Sequence, residues 1–304
     1  MLRKLLTKPV WWWERKRNYP VRSRFTALPP LPVQKAPKRF VVLTTPKELN
    51  DAMWTAWSWY RYLRFYGFEL QIAMDGNITD AEGAAARQLF PGVSVCAAKS
   101  VCHYVCEREP RLAKFLYHHP TGRKFALMLA LSDQRPVLYS DQDVLAFNIP
   151  DELLSCIERD VPCYFMEEVD GTRDPLIVER AYALGLDYIP KFNCGFLYIP
   201  KGTLPMDAAA RLLETWRPPG GSWFAEQTIL SVMLRDANTE ALPPSRYVIS
   251  NCRQFYWEKD VDYTAIAARH FTGTVRHVMY KRGMPIVLSQ SKHLQVRING
   301  KWSG

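Results

Sequence analysis

The sequence predicts an α/β fold: a mixed, mostly parallel sheet with helices on both faces, filling residues 39–285 as a single domain. Three observations carry this expectation. Short β-branched runs alternate with longer segments at helical spacing, the pattern of strands joined by crossover helices. Apolar residues make up 48% of the 304-residue chain and aromatics 13%, enough to bury a large core. The strands read as continuous apolar runs, as strands covered on both faces do.

Order begins at Arg39-Phe-Val-Val-Leu-Thr-Thr45, a first buried strand that ends in hydroxyls. Pro46 opens a helix expected to run to about Tyr66, with Leu49, Met53, Trp57, Tyr60 and Leu63 on one stripe; Gly67 stops it. That aromatic stripe reads as core rather than as a ligand site. Phe68 to Gly76 forms a second strand and its turn, followed by a helix near Asp80–Phe90 and a short strand at Val93–Cys96. One long helical region is expected over Leu112–Leu131, and the strand Val137-Leu-Tyr-Ser-Asp141 follows it.

That strand carries the most informative residues. Asp141 and Asp143 are one residue apart, and in a strand residues i and i+2 point to one side. The pair would converge at the carboxyl end of a buried strand, where open α/β sheets bind ligands. Two anionic oxygen donors there suit a divalent cation carrying a diphosphate. The plainer reading is a solvated turn after a strand, so the pair needs company.

Company follows in order. Lys191 to Pro200 is a strand with Asn193 and Gly195 at its mouth, an amide for sugar hydroxyls and a glycine that lets a ligand approach. Glu226 and Gln227 open an apolar helix, where a carboxylate is ordinarily a cap. His270-Phe-Thr-Gly-Thr-Val-Arg276 offers an imidazole, a glycine turn at Gly273 and a cation for phosphate oxygens. Lys124 lies one helix before the acidic strand. Each alone has a structural explanation; the order is harder to dismiss.

In this order the motifs resemble the glycosyltransferases of the GT-A fold, most closely family 8, the glycogenin and lipopolysaccharide-galactosyltransferase group. The resembling pieces are Val137 to Asp143, Phe192-Asn-Cys-Gly195, Glu226-Gln227 and His270 to Arg276, spread over about residues 39–285. The resemblance implies that Asp141, Asp143 and His270 bind Mn²⁺ or Mg²⁺. It implies that Asp141 also touches the ribose and that Thr44 and Thr45 seat the base. Lys124, Asn193 and Gln227 would face the sugar, and Gly273 and Arg276 the phosphates. The donor implied is a nucleotide-sugar, a UDP-sugar, transferred with retention to a glycan, glycolipid or protein. Under inversion a carboxylate must act as base, with Glu226 and then Asp170 as candidates. The chain departs from the family in having Arg276 for a lysine, Glu226 for an aspartate, and Pro46-Lys47-Glu48 where an aspartate and a tyrosine usually stand.

The net charge of +10 is misleading as a nucleic-acid signature. Residues 1–39 hold eleven Lys/Arg and one acid, Glu14, so the remaining chain is balanced and no specific nucleic acid is expected. Residues 1–38, with Trp11-Trp12-Trp13 and Ala27-Leu-Pro-Pro-Leu-Pro32, read as a basic arm suited to peripheral contact with an anionic membrane face, and 286–304 as a tail. Alternatively the arm is a disordered leader, or packs back on the body. Seven scattered cysteines and the absence of a signal-peptide core, interrupted by Lys8 and Pro9, point to a cytoplasmic protein. Two rival functions remain: a haloacid-dehalogenase-type phosphatase, whose motif wants Thr or Val where Leu145 stands, and a non-catalytic polyanion- or surface-binding protein using the arm.

Overall fold

The chain is described by a computed structural model over residues 13, 14, 16–166, 173–218, 220–250 and 261–298. Strand β1 (Lys38–Thr44) pairs in parallel with β2 (Phe68–Met74) on one side and β4 (Val137–Asp141) on the other. β3 (Ser94–Ala97) extends the parallel half. Beyond β4 lie β7 (Phe192–Ile199), antiparallel to both neighbours, then β6 (Cys163–Met166) and β8 (Glu240–Leu242), to give the order β3-β2-β1-β4-β7-β6-β8. Only β7 runs against the rest, so the mostly parallel sheet expected from the sequence is the one found.

Both faces are covered, which is why β1 has no polar alternation. Phe40 and Val42 join the core under helix α1 (Leu49–Leu63), while Val41 faces the opposite core, and all three are fully buried. α1 fills its side with Trp54, Trp57, Trp59 and Tyr60, and Trp59 stacks on Phe196 of β7 at 4.2 Å. Truncating one of these tryptophans to alanine would cost about 3–5 kcal/mol. Gly67 ends this segment in the left-handed conformation, φ +74°, as a glycine stop should. Helix α2 (Asp80–Leu89) opens with a capping box between Thr79 and Glu82, and α3 (Ala98–Arg108), which the sequence reading left unassigned, follows β3.

The long helix expected over 112–131 is broken. The chain forms α4 (Ala113–His118), turns at His119-Pro120-Thr121, and restarts as α5 (Gly122–Gln134). Pro120 forces the residue before it out of helical geometry, and His119 is extended at φ −84°, ψ 137°. The break matters because Lys124 then falls in the first turn of a helix that ends beside β4. Helices α6 (Asp151–Glu158), α7 (Pro175–Ala183), α8 (Met206–Leu213) and α9 (Ala225–Met233) complete the layers before the last helix.

A second, three-stranded sheet was not legible in the sequence. β5 (Val144–Ala146) starts directly after Asp143 and pairs antiparallel with β10 (Ala268–Phe271), which pairs in parallel with β9 (Tyr247–Ser250). Its register sets His270 opposite Val144, and Phe271 N–H donates to the Asp143 carbonyl at 2.8 Å.

The two ends differ from a loose arm and tail. From Tyr19 on, the N-terminal segment is a strap: a 3₁₀ helix over Tyr19–Ala27, then Leu28 and Leu31 inserted in the core with Phe25. Trp54 Nε1 donates to Arg22 O and Trp57 Nε1 to Pro29 O, both at 2.9 Å. Arg22 is buried against Asp51 at 2.5 Å, and Tyr280 donates to the same carboxylate at 2.9 Å. Trp11 and Trp12 lie outside the described residues. Helix α10 (Met284–Ile298) crosses the boundary expected at 285, and Met284 and Val287 are fully buried. The six described cysteines are free thiols, and no helix among the described residues is long and apolar enough to cross a membrane.

Candidate active site

β4 ends at Asp141, and Gln142-Asp143 form the turn into β5. The aspartates therefore converge through this turn and not through strand periodicity as expected. β10 brings in His270, so that one ligand atom from each of Asp141, Asp143 and His270 lies within 4.8 Å of the others. The cluster sits at the carboxyl ends of the parallel pair β1 and β4, the end of such a sheet at which ligands bind.

Asp143 divides its two oxygens. Oδ2 accepts from Arg276 Nη2 at 2.8 Å and Nε at 3.2 Å. Oδ1 lies 3.3 Å from His270 Nε2 without the alignment of a hydrogen bond, and both Oδ1 and His270 Nδ1 are buried with no hydrogen-bond partner. An unsatisfied buried polar atom costs about 1–3 kcal/mol, and Asp143 Oδ1 beside His270 Nε2 is one that a ligand would satisfy. Burial by itself would raise the Asp143 carboxyl, but Arg276 and then His270 outweigh it and hold it well below the usual carboxylate range. Asp143 is thus an anion at any ordinary pH.

Asp141 is held differently. Tyr139 OH donates to Oδ1 at 2.5 Å and Lys124 Nζ to Oδ2 at 3.1 Å. Lys124 also lies 3.3 Å from Glu226 Oε1, so one ammonium bridges the acidic strand and the start of α9. Burial works to discharge Lys124, yet Asp141 and the groups around it keep its pKa well above the ordinary lysine value. Glu226 is buried, and the Cys194 thiol donates to it at 3.0 Å, with its own pKa pushed well up by burial and by that carboxylate. Cys194 N–H donates to Gln227 Oε1 at 3.3 Å and Gly195 N–H to Asn193 Oδ1 at 2.9 Å. Gly195 is a glycine for space: a Cβ there would lie 2.2 Å from His270 Cε1.

The structure therefore brings together Lys124, Asp141, Asp143, Asn193, Glu226, Gln227, His270 and Arg276. Arg276 occupies a place other than the one expected for a free phosphate donor. Its fork is taken by Asp143 and by Glu48, whose Oε1 accepts from Nη1. Glu48 also accepts from Gln142 Nε2 at 2.8 Å and from Thr45 Oγ1 at 3.5 Å, which ties the end of β1 to the acidic turn. Thr44 is buried with its hydroxyl turned to the Thr45 carbonyl. Gly273 bends the chain at φ +35° with open space on the side where a Cβ would stand. Asp170 lies outside the described residues. Sequence reasoning missed Glu48, Tyr139, Gln142 and Cys194 as members of the site. Tyr139 had a readable signal, since it stands two residues before Asp141 on the same strand; Glu48 had none, because its partner is 228 residues away.

Charge supports a cation here. Asp141, Asp143, Glu48 and Glu226 face Lys124 and Arg276, a net deficit of two positive charges. The donor set of two carboxylates and one imidazole, with the buried Asp143 Oδ1 unsatisfied, fits Mn²⁺, and Mg²⁺ with less nitrogen preference.

No protein-family model and no curated protein matches the chain. Solved structures do resemble it. The apo structure of the bifunctional glycosyltransferase WbbM is similar over 88% of this chain and 53% of its own length, at 12% identity and a TM-score of 0.53. Mouse xyloside xylosyltransferase 1 in its apo form is similar over 78% and 98%, at 12% identity and 0.51. The galactosyltransferase LgtC, in complex with donor and acceptor sugar analogs, is similar over 83% and 95%, at 15% identity and 0.52. The chain thus spans about half the length of WbbM and nearly all of the other two. At such identities the likeness is one of fold alone: the chain has the GT-A fold that these structures share.

Proposed function

We propose that the protein is a metal-dependent glycosyltransferase that moves a sugar from a nucleotide-sugar, a UDP-sugar, to a glycan acceptor with retention. The observation that carries the reading is the convergence of Asp141, Asp143 and His270, with the buried Asp143 Oδ1 unsatisfied, in a site short of two positive charges. LgtC, of similar fold, is described with donor and acceptor sugar analogs, which supports a sugar donor and a sugar acceptor.

Bound there, a divalent cation supplies Lewis-acid neutralisation of a diphosphate leaving group. The chain's own residues do the rest. Asp143 and Asp141 offer oxygens whose remaining lone pairs are fixed by Arg276, Tyr139 and Lys124, so the donor set is preorganised. Lys124, Glu226, Gln227 and Asn193 line the side of the cluster where the sugar would lie, and position it by charge and hydrogen bonds. Glu226 is committed to Lys124 and Cys194 and is badly placed to serve as a free base, which favours retention, where the departing phosphate takes the acceptor proton.

The rival readings gain nothing. Leu145, where a phosphatase motif wants a hydroxyl or Val, is buried in β5, and Arg22 of the basic segment is spent on Asp51. The test is thermal stability with UDP, with and without Mn²⁺. UDP at about a hundredfold over Kd stabilises by about 2.7 kcal/mol, so the midpoint rises in the presence of Mn²⁺ and the rise is lost in Asp143→Ala. An equal rise without metal, or in the variant, overturns the reading.

A further inference from the structure

Trp54, Trp57 and Trp59 are fully buried and Trp216 nearly so, whereas Trp223 is 67% exposed. It stands in the turn that leads into α9, three residues before Glu226, which reaches Lys124 and through it Asp141. An isolated exposed apolar side chain needs no explanation when it sits on a loose loop. This turn is not loose. Ser222 N–H donates to the carboxylate of Asp174, a fully buried residue, and Ser222 O accepts from His119 Nε2 at 3.1 Å. Ala225 N–H donates to Ser222 O at 3.0 Å and Phe224 N–H to Ser222 Oγ at 3.3 Å.

Asp174 is itself fixed. Its Oδ1 accepts the amides of Leu176 at 2.9 Å and Ile177 at 3.1 Å, and its own N–H donates to Thr228 Oγ1 of α9 at 2.8 Å. One buried residue therefore clips three elements together: its carboxylate holds the start of α7 and the turn, and its backbone N–H holds α9. On either side of that clip the chain displays a large apolar side chain to water, Leu176 at 55% exposure and Trp223. These bonds fix the backbone of the turn that carries Trp223 at the entrance to the helix bearing Glu226 and Gln227.

Resting on the transferase reading above, we propose that Trp223 is the platform on which the acceptor lies, and that the acceptor is a glycan with a terminal pyranose stacked on the indole. A pyranose has an apolar C–H face and a rim of hydroxyls. An exposed indole accepts that face and leaves the rim wet, and a large ring with few rotatable bonds loses little entropy in doing so. A peptide hydroxyl or a simple lipid alcohol has no such face. The platform orders the acceptor; it takes no part in bond making.

The experiment is saturation-transfer NMR on the full chain with UDP and Mg²⁺, using methyl pyranosides and the disaccharides lactose, maltose, cellobiose, chitobiose and mannobiose as probes. At least one probe should receive saturation on one ring face. Trp223→Ala should weaken it about tenfold and Trp223→Phe by less, as expected for the loss of one buried aromatic face. The metal-dependent UDP shift should be the same in wild type and both variants. If wild type shows that shift but no probe binds, or a probe binds Trp223→Ala as tightly, the platform is refuted while the transferase reading stands. If wild type shows no metal-dependent UDP shift, the transferase reading falls and the platform with it.

Discussion

Replacing Gly195 by alanine tests whether His270 is held where the site needs it. The new Cβ would stand 2.2 Å from His270 Cε1, 2.7 Å from Nδ1 and 3.0 Å from Asn193 Oδ1. Non-bonded carbons settle at about 3.5–4.0 Å, so the imidazole must retreat by more than about 1 Å. It has little room to do so, being buried on β10 between β5 and β9. Metal sites tolerate ligand distances only within about 0.2 Å, so a shift of that size removes His270 from the cluster. Overpacking of this kind costs about 1–3 kcal/mol, which the fold should survive. The expected result is a folded Gly195→Ala protein whose midpoint is a few degrees lower and whose Mn²⁺-dependent UDP stabilisation is gone. Adding His270→Ala removes the clash, so the double variant should regain stability without regaining metal dependence, a coupling that a double-mutant cycle reads directly. A Gly195→Ala protein that keeps the full metal-dependent shift would refute the placement of His270.

Two further predictions follow from the ion pairs. Arg276 is shared between Asp143 and Glu48, so a diphosphate must draw its fork from Glu48; Glu48→Gln should tighten UDP binding about fivefold, on the order of 1 kcal/mol, and Arg276→Met should weaken it. Calorimetric titration decides, and a Glu48→Gln loss as large as that of Arg276→Met would show that Glu48 itself serves the nucleotide. The strap sets the second. A chain beginning at Asn18 should keep its stability, whereas one beginning at Pro37 loses Arg22 and leaves the Asp51 carboxyl, already pushed up by burial, with the Tyr280 hydrogen bond and the more distant charge of Arg276, at a cost of about 3–5 kcal/mol before the lost packing of Phe25, Leu28 and Leu31. Thermal denaturation of the two truncations checks this. The shorter truncation also tests membrane contact, since binding to anionic vesicles unchanged after loss of residues 1–17 would remove that proposal.

Much of the parallel half of the sheet was legible because each strand and helix there is a local event. The apolar run at β1, the aromatic stripe of α1 and the stop at Gly67 depend on neighbours within a turn or two. The broken helix at Pro120 was legible in principle and was overread, since a proline in a helical pattern ends it at the preceding residue. The basic count of residues 1–38 obscured three apolar side chains, Phe25, Leu28 and Leu31, spaced three apart, which turn half of a presumed arm into core.

The chemistry on offer could be read residue by residue: two carboxylates after a strand, an imidazole before a glycine turn, a lysine and an acid–amide pair, in an order that pointed to one fold. Those are properties of side chains, carried by the residue wherever it lies. Which of them share a site was decided only in three dimensions. β5 and β10 are three and four residues long and pair across more than a hundred residues, so no local pattern announces that His270 meets Asp143. The same holds for Arg276, which the sequence offered to phosphate and the fold placed between Asp143 and Glu48. Charge and hydrogen bonding act over a few ångströms of space rather than along the chain, and only the packed structure determines which distances are short.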